Sequence, residues 1–401
     1  MENSNWVELP IKDVAVKLTS GGTPSTKKSE YYENGDIPWL NTKEVDYNRI
    51  TSTEKYITEE GLKNSSAKWI EENSVIVAMY GATAAKTAIT KIPLTTNQAC
   101  CNIIVNHEVC DYEFLFYNIS NKYSELENIA VGAAQQNLSV GVIGNFILKF
   151  PPLPEQKAIA SVLSSLDDKI DLLHQQNQTL EALAETLFRQ WFIERCPEPV
   201  EGEAKEDWED CTIGDLAIHS KLSVHPNRNP DTLYHHYSIP AFDANKKPVV
   251  ELGKEIQSNK YKVEENSILF SKLNPHKDKR VWLIQDNVEE HAICSTELQV
   301  VKPKDKDYLY FIYGWLTNSI YYNEIASGVG GTSGSHQRIE PKAIFTAPCV
   351  KIEKDIILQY NSHAEPLFKK QFENQQQIQT LTQLRDTLLP KLMSGEVRVK
   401  F

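Results

Sequence analysis

Apolar positions along the chain follow two rhythms. From Glu155 to Phe192 there is neither proline nor glycine, and Leu163, Leu166, Ile170, Leu173, Asn177, Leu180, Ala184, Leu187 and Trp191 recur at alternating steps of three and four. That spacing predicts an unbroken amphipathic helix, roughly 57 Å long at 1.5 Å per residue. Its stripe is a coiled-coil seam with Leu at every d position and one register-fixing Asn at an a position. A more degraded stripe follows near the end of the chain, on Ala364, Leu367, Gln371, Asn374, Ile378, Leu381, Arg385, Leu388 and Leu392. Two helices that cannot bury their own stripes are expected to pair, with Asn177 meeting Gln371 or Asn374; the alternative is that each helix packs only on its own domain.

Elsewhere the rhythm is short. Ser74–Met79, Asn102–Val105, Ser267–Phe270 and Leu298–Val301 are apolar runs bounded by polar turns, and predict strands of a packed sheet. Tyr112–Asn121 and Tyr308–Asn318 predict helices. Pro151-Pro152-Leu153-Pro154 closes the first mixed region, because a residue before proline leaves the helical basin while proline itself suits a first helical turn.

The two halves repeat one another in order. Trp6, Ile11, Asp13, Val14 and Ala15 are echoed by Trp208, Ile213, Asp215, Leu216 and Ala217. Glu71-Glu72-Asn73-Ser74-Val75-Ile76 returns as Glu264-Glu265-Asn266-Ser267-Ile268-Leu269, and Asp111-Tyr112 as Asp307-Tyr308. Ile129-Ala130-x-Gly132 returns as Ile325-Ala326-x-Gly328, and Leu180, Leu183, Thr186 and Leu187 as Leu381, Leu384, Thr387 and Leu388. Collinear echoes of this kind are what a duplicated unit with loop insertions leaves behind.

At 401 residues the chain exceeds what one hydrophobic core supports. With 41% hydrophobic and 24% charged residues it belongs with soluble globular proteins. No leader and no membrane-length apolar run is seen, so a cytoplasmic location is expected. Seven cysteines without a Cys-x-x-Cys spacing signal neither a disulfide framework nor a zinc site, and read as free thiols. Taken as a total, the net charge of −12 argues against DNA binding, yet the stretch Glu194–Asp210 alone contributes −6, so the total says little about any one face.

Catalytic constellations are missing. There is no phosphate-cradling Gly-x-x-x-x-Gly-Lys loop, and Gly328, Gly330, Gly331 and Gly334 are spaced wrongly for a dinucleotide site, reading instead as a flexible loop. No Asn/Asp-Pro-Pro-Tyr-like methyltransferase motif occurs. Asp231, Glu251 and Lys254 are the nearest approach to a metal-dependent nuclease triplet, and their spacing is not the usual one. His235-His236 is not followed by a helical His-x-x-x-His.

Loops suited to DNA are present. After the strand at Ser267–Phe270, the run Ser271–Arg280 carries Lys272, Asn274, His276, Lys277, Lys279 and Arg280, able to meet phosphates and base edges together. A solvated hairpin tip would have a similar composition. The matching loop of the first half, Tyr80–Lys86, offers Thr83 and Lys86. A second pair of loops follows the Ile-Ala echo, with Gln135, Gln136 and Asn137 in the first half and Ser335, His336, Gln337 and Arg338 in the second. Amides suit adenine and Arg suits guanine in the major groove, although all are also ordinary loop residues.

Several stretches resemble the specificity subunits of type I restriction-modification systems, and the resemblance covers nearly the whole chain. They are Trp6-Val-Glu-Leu-Pro, Gly21-Gly22-Thr23-Pro24-Ser25 before Ile37-Pro38-Trp39, Asn97-Gln98-Ala99-Cys100, and above all Pro152-Leu153-Pro154-Glu155-Gln156. Phe270-Ser271-Lys272-Leu273-Asn274-Pro275, Cys294-Ser295-Thr296-Glu297 and Leu388-Leu389-Pro390-Lys391-Leu392-Met393-Ser394-Gly395-Glu396 add to it in the second half. The second long helix departs from the pattern, being entered by Val350-Lys351-Ile352-Glu353-Lys354.

The resemblance implies an α+β chain of two tandem mixed target-recognition domains, each followed by a long helix, the helices pairing as an antiparallel coiled coil. The expected boundaries are 1–150 for the first domain, 151–196 for the central helix, 197–207 for an acidic linker, 208–350 for the second domain and 351–401 for the C-terminal helix. Each domain would read half of a bipartite double-stranded DNA site, with the helices as ruler and as docking surface for two methylation subunits. Those partners would bind S-adenosylmethionine and flip the target adenine; two motor-nuclease restriction subunits with ATP and Mg would complete the complex, and this chain would itself be non-catalytic and hold no cofactor. The alternatives are a stand-alone DNA-modifying enzyme and a coiled-coil adaptor without DNA contact.

Overall fold

A computed structural model of the chain describes residues 6–132, 137–194, 208–276, 279–286, 288–327, 329–330 and 337–400. The chain folds as two compact units, one made of residues 1–173 with 376–401 and the other of residues 174–375.

In the first unit the strands are β1 (Val7–Pro10), β2 (Ala15–Ser20), β3 (Ile37–Leu40), β4 (Asn48–Ile50), β5 (Lys55–Ile57), β6 (Trp69–Ile70), β7 (Val75–Ala78), β8 (Thr87–Thr90), β9 (Leu94–Thr96), β10 (Cys100–Val105) and β11 (Ile147–Phe150). Its helices are α1 (Glu59–Lys63), α2 (Tyr112–Asn121), α3 (Tyr123–Gly132), α4 (Val140–Gly144) and the start of α5 (Leu153–Phe188). They form sheets in the orders β2-β10-β7-β8-β4, β5-β3-β9-β6 and β1-β11. The expected strands and the α2 helix are thus present. β7 and β8 are buried at every position, and α2 lays Phe114, Leu115 and Ile119 on the same core as Val75, Val77 and Ile103.

The second unit contains β12 (Glu209–Thr212), α6 (Ile213–Leu216), β13 (Ala217–Ser220), β14 (Ser223–Val224), β15 (Leu233–Tyr237), α7 (Ile239–Asn245), β16 (Val249–Leu252), β17 (Lys260–Lys262), β18 (Ser267–Ser271), β19 (Val281–Ile284), β20 (Ala292–Cys294) and β21 (Leu298–Pro303). Then come α8 (Leu309–Thr317), α9 (Ser319–Ser327), β22 (Val329–Gly330), β23 (Arg338–Ile339), α10 (Pro341–Thr346), β24 (Pro348–Lys351) and α11 (Lys354–Ser394). The sheet orders β13-β21-β18-β19 and β12-β24 repeat β2-β10-β7-β8 and β1-β11 of the first unit. The echo in sequence is therefore an echo in topology.

The repeated Glu-Glu-Asn-Ser has a physical origin. Asn73 and Asn266 sit at left-handed φ values of 61° and 53°, where Asn is among the few residues tolerated without a glycine. The next residue closes the turn, Ser74 Oγ donating to Glu71 O at 2.8 Å and Ser267 Oγ to Glu264 O at 2.6 Å.

Helix pairing occurs inside each unit. In the first, Ile170 and Leu173 of α5 pack with Ile378 and Leu381 of α11, while Leu163 shares the domain core with Leu388 and Leu392. The apparent defect in the second stripe, Arg385, is paired with Asp167 at 2.8 Å, and Asp167 also accepts from Tyr117 Oη at 2.5 Å. In the second unit Asn374, fully buried, donates from Nδ2 to Asn177 Oδ1 at 3.0 Å, and Gln371 Nε2 donates to Asn177 O at 3.2 Å. Leu187 and Leu367 pack on that unit's core, whereas Leu166 and Leu180 are only half-buried. Neither helix packs on one domain alone.

Two expectations are corrected. The central helix does not stay α-helical to Phe192: Arg189–Ile193 forms a π-turn, which lets Phe188 and Phe192 both enter an aromatic core with Phe311 and Tyr360. Gly314 is required there, since a Cβ would lie 2.2 Å from the Phe188 ring. The glycine cluster is not all loop either, because Val329–Gly330 pairs antiparallel with Arg338–Ile339; Gly331 and Gly334 lie outside the described residues, as does the acidic stretch 197–207.

The Leu-Pro-Glu-Gln entry to α5 joins the helix to its domain. Gln156 is buried, accepts from Asp111 N at 3.0 Å, and donates to Val109 O at 3.1 Å and Pro151 O at 2.9 Å. Beside it Glu155, 1% exposed, receives the Arg398 guanidinium at 3.0 and 2.8 Å. At the start of α11 other groups do this work: Lys354 pairs with Asp305 and Asp307 at 2.7 and 2.9 Å, and Asn361 Nδ2 donates to Asp307 O at 2.7 Å. Among the described residues no helix is long and apolar enough to cross a membrane. Replacing Gln156 with Leu strands buried backbone groups and is expected to destabilise the first unit by about 2–3 kcal/mol, read as a lower denaturant midpoint; an unchanged midpoint would show that the entry motif does not anchor the helix.

Candidate nucleic-acid interface

Each unit assembles the same loop cluster from backbone bonds. In the first, Met79 follows β7; its N–H donates to Ala99 O at 2.8 Å and its carbonyl accepts from Leu138 N at 2.9 Å. In the second, Lys272 follows β18; its N–H donates to Glu297 O at 3.1 Å and its carbonyl accepts from Ile339 N at 2.9 Å. The turn beneath is also shared. Asn97 N donates to Leu40 O and Ser295 N to Tyr237 O, both at 2.9 Å. The Asn97 side chain then accepts from Ala99 N at 3.1 Å, and the Ser295 hydroxyl from Glu297 N at 3.3 Å. These are the Asx and Ser turns that such residues form with a backbone N–H two positions on. The two loops proposed from each half of the sequence thus lie together, bridged by one residue.

The first unit's cluster is mostly neutral. Between Gly81 at φ 87° and Ala85 at φ 67° the loop folds back, and Thr83 Oγ1 donates to Thr42 O at 2.8 Å. Lys86 is bound to Asp46 at 2.6 Å and lies 5.9 Å over the Tyr47 ring. Asn137 is exposed, while Gln135 and Gln136 lie outside the described residues. Reasoning from sequence missed the neighbouring loop after β2. There Gly21 and Gly22 pass so close to Thr96 and Ser66 that a Cβ on either would come within 2.4 Å of a heavy atom, and Trp39 Nε1 donates to Gly22 O at 2.9 Å. That packing presents Thr23, whose hydroxyl donates to the exposed Gln98 amide oxygen, with exposed Lys27 and Lys28 following. The Gly-Gly-Thr-Pro-Ser string was the available signal.

In the second unit Asn274, at φ 48°, donates its N–H to Gln337 O at 2.9 Å, and a β-bridge joins Leu273 to Arg338. Arg338 forks onto Glu297 at 3.2 and 2.9 Å, and Arg280 onto Asp243 at 2.6 and 2.8 Å. Lys279 Nζ donates to Thr317 O at 2.6 Å. Lys272 forms no ion pair among the described residues, and His276 is exposed. Lys277, Ser335 and His336 lie outside the described residues. Lys221, exposed on the loop after β13, is a further cation that the sequence reading passed over. Of the nuclease-like triplet, Glu251 meets His236 Nδ1 at 2.5 Å, and no metal-holding group of acids, His and Cys occurs among the described residues.

A duplicated mixed fold with paired long helices and one loop cluster per copy defines a two-headed recognition protein. Residues 3–182 match the family described as Type I restriction modification DNA specificity domain. The chain is 32% identical to the type I restriction enzyme MjaIX specificity subunit of Methanocaldococcus jannaschii, over 99% of this chain and 94% of that one. It is 31% identical to the EcoR124I/EcoR124II specificity subunit of Escherichia coli, over 38% of each. The crystal structure of the type I restriction-modification S subunit from M. genitalium shares the fold, with a TM-score of 0.62 at 16% identity, covering 98% of this chain and 97% of that one. The chain belongs to the specificity subunits of type I restriction-modification systems.

Protonation around the second cluster is set by burial. His219, stacked on Phe345 at 5.7 Å, is held below the ordinary histidine range by burial and by Lys221 and Lys272. Its Nε2 is buried with no hydrogen-bond partner among the described residues. His236 is likewise lowered by burial, against the opposing pull of Glu251. A histidine depressed in the folded state binds fewer protons there than in the unfolded chain, so stability is full above the ordinary value near 6.5 and falls as pH drops below it. The second unit is therefore expected to unfold at lower denaturant at pH 5.5 than at pH 7.5, with His219→Phe flattening that dependence. The same slope in the variant would remove His219 as its source.

Proposed function

We propose that the two loop clusters are the DNA-reading faces, each unit reading one half of a bipartite duplex site. The observation that carries this reading is the doubled scaffold: identical backbone bonds around Met79 and Lys272, dressed with different side chains. Backbone bonds fix loop shape whatever the side chains are, so two copies can present the same frame to DNA and read different bases. In the second unit Lys272, Lys221 and His276 supply phosphate contacts, with Asn274, Gln337 and Arg338 as base-reading groups; in the first, Thr23, Gln98 and Asn137 lead, with Thr83 and Lys86 holding the loop. The carboxylate forks on Arg338 and Arg280 aim the guanidinium planes.

Two methylation subunits, carrying S-adenosylmethionine and flipping the target adenine, dock along α5 and α11, which also serve as the spacer. Two restriction subunits using ATP and Mg complete the assembly, which works in the cytoplasm.

Exchanging residues 1–150 for those of another specificity subunit, followed by methylome sequencing of the host, is expected to change one half of the modified motif and leave the other. A change in both halves or in neither would refute the assignment of one half per unit. Lys272→Ala is expected to weaken duplex binding by the assembled complex and to lower the slope of log affinity against log salt by about one. An unaltered slope would take Lys272 off the phosphate backbone.

A further inference from the structure

In the sheet that joins the first and last strands of the second domain, Cys211 of β12 stands directly opposite Cys349 of β24. Their sulfurs are 3.3 Å apart. Two positions along the same ladder, Glu209 pairs with Lys351 at 3.0 Å and holds the strands together. In the first unit the corresponding cross-strand pair is Leu9 with Leu148, so the sheet itself needs no thiol at this place. The other cysteines of the described residues differ in setting. Cys101, Cys110 and Cys294 are buried, and burial pushes each thiol up to about 12. Cys211 alone among the described cysteines is partly open to solvent.

We propose that Cys211 and Cys349 are a dithiol site that closes to a reversible cross-strand disulfide, with a low-molecular-weight disulfide as co-reactant. Cys211 gives its proton to solvent and its thiolate attacks one sulfur of R–S–S–R. That bond breaks, one RS⁻ leaves and is protonated, and a mixed disulfide remains on Cys211. Cys349, only 3% exposed, then loses its proton and attacks Cys211 Sγ, expelling the second RS⁻. Two protein thiols lose the two electrons that the small disulfide gains. Closure needs the sulfurs to approach by about 1.3 Å to reach the S–S bond length, a shift that side-chain rotation on facing strands supplies. Burial raises both thiols, so the reaction accelerates with pH through the mildly alkaline range. The bond ties residues 138 positions apart, stapling the strand that enters the second domain to the one that leaves it; the first domain has no such staple.

The test treats the full-length protein with 2-hydroxyethyl disulfide at pH 8, blocks remaining thiols, digests it and maps linkages by mass spectrometry. Expected are a Cys211–Cys349 peptide, its loss on adding dithiothreitol, and a higher denaturant midpoint for the oxidised protein. Cys349→Ser is expected to stop at the mixed disulfide on Cys211, and Cys211→Ser to lose the oxidant-dependent midpoint shift. Wild type that halts at the mixed disulfide, or that links Cys211 to any other cysteine, would overturn the proposal.

Discussion

A long helix with a continuous apolar stripe cannot bury that stripe on a domain of ordinary size, and this constraint organises the molecule. α5 and α11 run for 36 and 41 residues, roughly 54 and 62 Å at 1.5 Å per residue. The stripe is satisfied by the other helix. In the first unit the meeting is apolar, Ile170 and Leu173 against Ile378 and Leu381. In the second it is polar, Asn177 against Asn374 and Gln371. A buried amide pair is poorer in stability than two leucines, but a slip along the seam would leave those amides unpaired, so the polar contact specifies alignment.

Sharing the helices gives the duplication a cyclic order. Each unit consists of one mixed domain, the beginning of the helix that leaves it, and the end of the helix from the other copy. The first unit is closed by residues from the far end of the chain: Arg398 neutralises the buried Glu155 carboxylate, and Leu392, Met393 and Val399 pack on the core beneath α2. In the second, Phe188 and Phe192 from the end of α5 enter a core built from α8 and α11. A buried carboxylate whose partner lies 243 positions away makes folding of the first unit depend on both ends of the chain.

Much of this was legible in the sequence because it rests on local periodicity. The heptad spacing gave the helices and their polar contact, and the Glu-Glu-Asn-Ser echo marks a left-handed Asn whose turn is set within four residues. What escaped depends on distant partners. Nothing near Arg338 announces that Glu297 will hold it, nor near Lys86 that Asp46 will. Loops rich in cations therefore looked more available for phosphate than they are, since three of those cations are already paired. The π-turn at Arg189–Ile193 was hidden for the same reason: it is dictated by the aromatic pocket that Phe188 and Phe192 must fill, not by the residues of the turn.

The way the copies diverged separates frame from face. Where a backbone group makes the bond, the residue differs freely between the copies: Lys272 stands where the first copy has Met79 and Glu297 where it has Ala99, with the hydrogen bonds the same. Where a side chain makes the bond, change was met by replacement with another group that does the same work. Asn97 and Ser295 both cap the turn beneath the cluster, and the tether made by Gln156 in α5 is made by Lys354 and Asn361 in α11. A recognition surface carried on such a frame can alter the chemistry it presents without altering the shape of its loops. The frame constrains where each side chain stands, and leaves its identity to the sequence being read.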